Sequence, residues 1–153
     1  MSNLNSIIIV AILGVIGNII YFEYRFKKER KKEISKERLI KLLLPLYIIL
    51  KTDELEELAW QKNENTDLYE YHADKPKRLF SPIKDILDKN LYLADDELQL
   101  FSLLFIEWTY REDSGARFQE LHNDMRLIQD EILDDFRSMV YRKYNEQRKK
   151  YVI

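Results

Sequence analysis

The sequence has no cysteine, only three glycines and three prolines, and no charged side chain before Glu23. Without cysteine there is no disulfide framework, no thiolate zinc site and no cysteine nucleophile. Two of the glycines, Gly14 and Gly17, fall in the first apolar stretch, which leaves Gly115 alone to serve residues 23–153. A single glycine cannot build a phosphate-cradling loop, a nucleophile elbow or a glycine-turned hairpin. No segment alternates between apolar and polar residues for long, so strands are not expected. Ten Tyr, seven Phe and two Trp in 153 residues are too many for a disordered chain.

Residues 4–22 read LNSIIIVAILGVIGNIIYF. As a helix they would extend about 28 Å, close to the hydrocarbon thickness of a bilayer. Tyr21, Phe22, Tyr24 and Phe26 supply aromatic residues at one end. A cleaved signal peptide would need bases before the apolar run and small residues after it, and neither is present. Between 23 and 41 nine Lys or Arg face four Glu, whereas the rest of the chain is acidic. The positive-inside rule then puts the C-terminal part in the cytoplasm and the N-terminus outside. Gly14 and Gly17 with Asn18 form a small-residue strip with one amide, a candidate for association between membrane helices. Gly14 and Gly17 are three residues apart, short of the four-residue step of the strong dimer motif.

Charges of opposite sign recur at helical spacing beyond Glu23, as in Arg25 with Glu29 and Glu37 with Lys41, which predicts an exposed stalk helix. Its surplus bases over 25–41 suit anionic lipid headgroups. Mixed signs, and the acidic chain beyond, argue against nucleic acid. Residues 39–50 are almost wholly apolar and too short to span a membrane, so a core helix kinked or restarted at Pro45 is expected; a membrane-grazing segment is the rival. Asp53 followed by Glu56 resembles a helix start, and residues 62–80 read as the longest irregular stretch. Ser81-Pro82 reads as the opening of another helix. Asp95-Asp96-Glu97 precedes a run apolar nearly all round, read as a central core helix. Asp113-Ser114-Gly115 marks a turn, after which Phe118, Leu121, Met125, Ile128, Ile132, Phe136, Met139, Val140 and Tyr144 predict one long amphipathic helix. The expected fold is all-α: an anchor over 1–22, a basic stalk over 23–38, and a helical domain of about four or five helices over 39–153.

Chemistry is harder to find. His72 and His122 form no helical ligand pair, and the acids of the last helix read as a solvated face. No metal, cofactor or catalytic residue is expected, and the chain does not read as an enzyme. The most suggestive cluster is Tyr69, Tyr71 and His72 with Lys75, Lys77 and Arg78, where aromatic faces and bases would suit a nucleotide or a protein partner. Arg117, beside the Asp113–Gly115 turn, is a candidate anion contact. Two functions fit. One is a membrane-anchored, non-enzymatic interaction module that holds a cytoplasmic protein at the inner face. The other is an oligomeric effector gated by a small anionic or nucleotide ligand. Its layout resembles, in outline only, small bacterial defence effectors that join a sensing domain to membrane helices.

Overall fold

The computed structural model describes the backbone of residues 2–63, 68–113 and 122–151, and the side chains of 13–63, 70–71, 74–75, 78–107 and 131–151. Five α-helices account for most of it: α1 (Ser2–Glu37), α2 (Leu44–Lys62), α3 (Leu68–Asn90), α4 (Asp96–Asp113) and α5 (His122–Tyr151). A π-helical turn, Arg38–Leu43, joins α1 to α2, and a 3-10 turn, Leu91–Leu93, precedes α4. No strand occurs among the described residues. The chain divides into two units, Met1–Ser35 and Lys36–Ile153.

In the first unit every described apolar side chain from Leu13 to Phe26 is exposed, with Phe22 at 70%. Gly14 and Gly17 have open space where a Cβ would sit. Arg25 pairs with Glu29 at 3.0 Å, and Lys27 with Glu23 at 3.6 Å. Among the described residues no helix is long and apolar enough to cross a membrane. The apolar run 4–22 is covered only from Leu13 onward, because the side chains of 1–12 lie outside the described set.

The second unit is a four-helix bundle. Each helix packs on its neighbour in sequence, and α5 closes the ring against α2. The core contains Leu42, Leu43, Leu46 and Leu50 from the π turn and α2, with Leu79, Ile83 and Leu87 from α3. Leu98 and Phe105 come from α4, and Leu133, Phe136, Met139 and Val140 from α5. Phe105 and Phe136 stack with centroids 5.0 Å apart. Residues 39–50 therefore contribute to the core, although Ile40 and Ile48 face outward. The widened π turn comes just before Pro45 in an unbroken helical run, and its shifted hydrogen-bond register accommodates the proline's missing N–H.

Four expectations need correction. The segment read as irregular over 62–80 is helical from Leu68 on; residues 64–67 lie outside the described set. Tyr71, Lys75, Leu79, Ile83 and Leu87 repeat every four residues, and all five are buried. That continuous inward row holds α3 together through Pro76 and Pro82, each of which costs a helix interior about 3 kcal/mol or more. Ser81-Pro82 is consequently inside a helix, not at its start. Asp53 likewise does not cap anything: it lies in the middle of α2 at 4% exposure. Finally, α4 is not apolar-buried all round, since Leu100, Leu103 and Leu104 are exposed. Its start is as expected. Asp95 Oδ1 accepts from Leu98 N–H at 3.0 Å and caps the helix. The turn at Ser114-Gly115 lies outside the described residues; Asp113 ends α4.

Candidate functional site

Three helices of the bundle each place charge on a row that elsewhere is apolar. From the π turn into α2 the inward series Leu43, Leu46, Leu50 continues as Asp53 and Glu57. On α3, Lys75 interrupts the row between Tyr71 and Leu79. On α5, Arg137 is next to the buried Phe136. These charges meet. Asp53 Oδ2 lies 3.1 Å from Arg137 Nη2 and 3.6 Å from Lys75 Nζ. Its Oδ1 accepts from the Tyr71 hydroxyl at 2.9 Å and lies 3.8 Å from Arg78 Nη2. Glu57 pairs with Lys75 at 3.0 Å and reaches Arg137 at 3.9 Å. Arg78 Nη1 is 2.8 Å from Glu56.

Aromatic rings close one side. The Arg78 guanidinium lies 4.5 Å from the centroid of the Tyr71 ring, and Trp60 packs on the same ring at 5.2 Å. Burial pushes the Tyr71 hydroxyl pKa far above its ordinary value, and the adjacent Asp53 carboxylate adds to the shift. Tyr71 is thus neutral and a donor. Charge within the cluster is nearly balanced, as low-dielectric surroundings require. Arg137 Nε is buried and has no hydrogen-bond partner among the described residues.

Of the residues singled out by sequence, Tyr71, Lys75 and Arg78 come together here. They do so on a helix, not on a loop. The side chains of Tyr69, His72 and Lys77, and all of Arg117, lie outside the described residues. Asp53, Glu57 and Arg137 were not anticipated. The available signal was positional: Asp53 and Glu57 extend the row of Leu46 and Leu50 at steps of three and four. No group of His, Cys, Asp or Glu placed to hold a metal ion occurs among the described residues.

A second ionic cluster ties the start of α4 to α5. Asp95 pairs with Lys143 at 2.9 Å and with Arg38 at 3.7 Å. Lys143 also reaches Glu97 at 2.7 Å, and Arg142 bonds Glu97. Burial would raise the Asp95 carboxyl pKa, but hydrogen bonds from Lys143 and from Leu98 N–H outweigh it and hold the group below its usual range. Nearby, Tyr141 donates to Glu54 at 2.9 Å while Tyr47 stacks on Tyr144 at 4.3 Å.

Nothing matches this chain among family models, curated proteins or solved structures. As ion pairs, Lys75 and Arg78 already have carboxylate partners, so an incoming anion would have to displace Glu56 or Glu57. The geometry suits a polar clamp that fixes the relative register of α2, α3 and α5.

Proposed function

We propose that this protein is a membrane-anchored, non-enzymatic helical interaction module. Residues 1–22 span the bilayer with the N-terminus outside, and the bundle holds a protein partner at the cytoplasmic face. One observation carries this reading: from Leu13 to Phe22 the helix α1 exposes apolar side chains and carries no charge. In water each of these large side chains would forgo about 1.5–3 kcal/mol of burial. Lipid is the solvent in which such a helix has no such deficit, and its backbone is satisfied internally.

Charge supports the orientation. Lys28, Arg30, Lys31 and Lys36 are exposed and make no ion pair with described residues, so they are available to anionic headgroups. The second reading, an oligomeric effector gated by a nucleotide or other small anion, draws on the half-exposed Arg78 over the Tyr71 ring. It is weaker, because the bases that would meet the ligand are matched by Asp53, Glu56 and Glu57.

The test is alkaline carbonate extraction of membranes from cells making the full chain. The parent protein stays in the pellet. Leu13→Arg with Ile16→Arg moves most of it to the supernatant, since each central arginine costs insertion about 2.5–3.5 kcal/mol. A parent chain released by carbonate would sink the proposal.

A further inference from the structure

Two exposed stripes on opposite sides of the bundle have the same spacing and opposite charge. The outward face of α2 carries Lys51, Leu55, Leu58 and Lys62; that of α4 carries Asp96, Leu100, Leu103 and Glu107. Steps of four, three and four residues set each series along one side of its helix. The four leucines are between 43% and 57% exposed. Lys62, Asp96 and Glu107 are exposed, whereas Lys51 is half-buried at the flank of its stripe, bonding Glu54 at 2.9 Å with its ammonium 5.8 Å from the Tyr141 ring centroid. Each stripe lies opposite its helix's buried residues: Leu46, Leu50 and Asp53 on α2, Leu98, Ser102 and Phe105 on α4. The principal packing runs α2 to α3 to α4 to α5 and back to α2, so α2 and α4 are diagonal. Their outer stripes therefore point away from each other and cannot meet within one chain.

We infer that the occupant of each stripe is a second copy of this chain, with α2 of one molecule packed on α4 of the next. Leu55 and Leu58 would meet Leu100 and Leu103 at an apolar centre. Lys51 and Lys62 would flank it opposite Asp96 and Glu107. The two charges of each stripe are eleven residues apart, about 16 Å along the helix, so both ends match at once. Pairing like stripes would instead set Lys against Lys or acid against acid, which disfavours α2–α2 and α4–α4 contacts. Because the two surfaces differ and face opposite ways, the contact repeats. It builds an open row of copies, each end leaving one stripe free, not a closed dimer. Both stripes belong to residues 36–153, so the contact does not depend on the membrane proposal. An anchored population would only raise the local concentration.

The absence of cysteine makes the test clean. Leu58→Cys and Leu103→Cys are introduced singly and together in the full chain, solubilised in mild detergent and oxidised. The double variant gives a ladder of dimer, trimer and higher species. Either single variant alone gives monomer, and an equal mixture of the two gives dimer only. Dimers from one single variant alone would show like-with-like pairing and overturn the inference, as would the absence of a ladder from the double variant. Within the double variant, Lys62→Glu lowers the ladder about tenfold, and adding Glu107→Lys restores it. A ladder indifferent to Lys62→Glu also overturns the inference. Unchanged circular-dichroism melts keep loss of fold out of the comparison, and membrane retention is read separately by carbonate extraction.

Discussion

Asp53 is the side chain on which the bundle's polar interior turns. Two buried or near-buried cations, Lys75 and Arg137, and the Tyr71 hydroxyl all face its carboxylate. Replacing it by alanine leaves Lys75 with Glu57 alone and Arg137 with Glu57 and Asp134, and breaking a buried pair costs up to about 3–5 kcal/mol. Asp53→Asn keeps the shape and the Tyr71 bond, so it should cost less. Tyr71→Phe removes one hydrogen bond to a charged acceptor and should cost about 1.5–3 kcal/mol. Urea unfolding monitored by circular dichroism checks the order Asp53→Ala, then Tyr71→Phe. Equal stability of the alanine variant and the parent would mean the cluster is solvated rather than interior. The sequence singles out Tyr71, Lys75 and Arg78 within a stretch read as irregular, but not their partners. Asp53 was assigned to a cap because Glu56 follows it, and local spacing cannot tell a cap from a buried acid.

At the scale of helices, α3 and α4 show how packing overrides local signals. Two prolines and a run of polar residues obscured α3, whose continuity rests on one inward row. Ile83→Ala, fully buried in that row, should destabilise the bundle by about 2–5 kcal/mol, read as a shift in the urea midpoint with helicity retained below it. In α4 the sequence signal at the start was sound, because Asp95 caps through a local contact with Leu98 N–H. The middle of the same helix departs from the expectation of burial all round. Apolar residues occur on all its sides, and only the positions of α3 and α5 decide that Leu98 and Phe105 are covered while Leu100 and Leu103 are not.

Across the whole second unit, stability should depend on pH at both ends of the scale. Asp95 and Glu97 have folded-state pKa values below their ordinary ones: Asp95 because bonds from Lys143 and Leu98 N–H outweigh its burial, Glu97 chiefly through its bond from Lys143. Depressed acids contribute stability that is present above the unfolded value, near pH 4, and lost as pH falls through the folded value. Tyr71 and Tyr141 are shifted upward, chiefly by burial and then by Asp53 and Glu54 respectively. Their contribution is complete below about pH 10 and declines above it, where the unfolded chain ionises first. Thermal melts from pH 3 to pH 11 should therefore show a plateau near neutrality and fall off on both sides. Asp95→Asn should lessen the acid limb and leave the alkaline limb unchanged; an unaltered acid limb would assign that sensitivity to other carboxylates.

The amino-acid sequence alone determined the helical class, the long final helix, the start of α4, and the charge-free apolar stretch before the basic run at 23–41. Each of these depends on periodicity, capping or composition, which act over a few residues along the chain. Tertiary structure decided that 68–80 is helical, that Asp53 is interior, and that α2 and α4 keep apolar stripes on their outer faces. Those outcomes depend on which faces the other helices cover, and on long-range ion pairs such as Asp53 with Arg137, 84 residues apart.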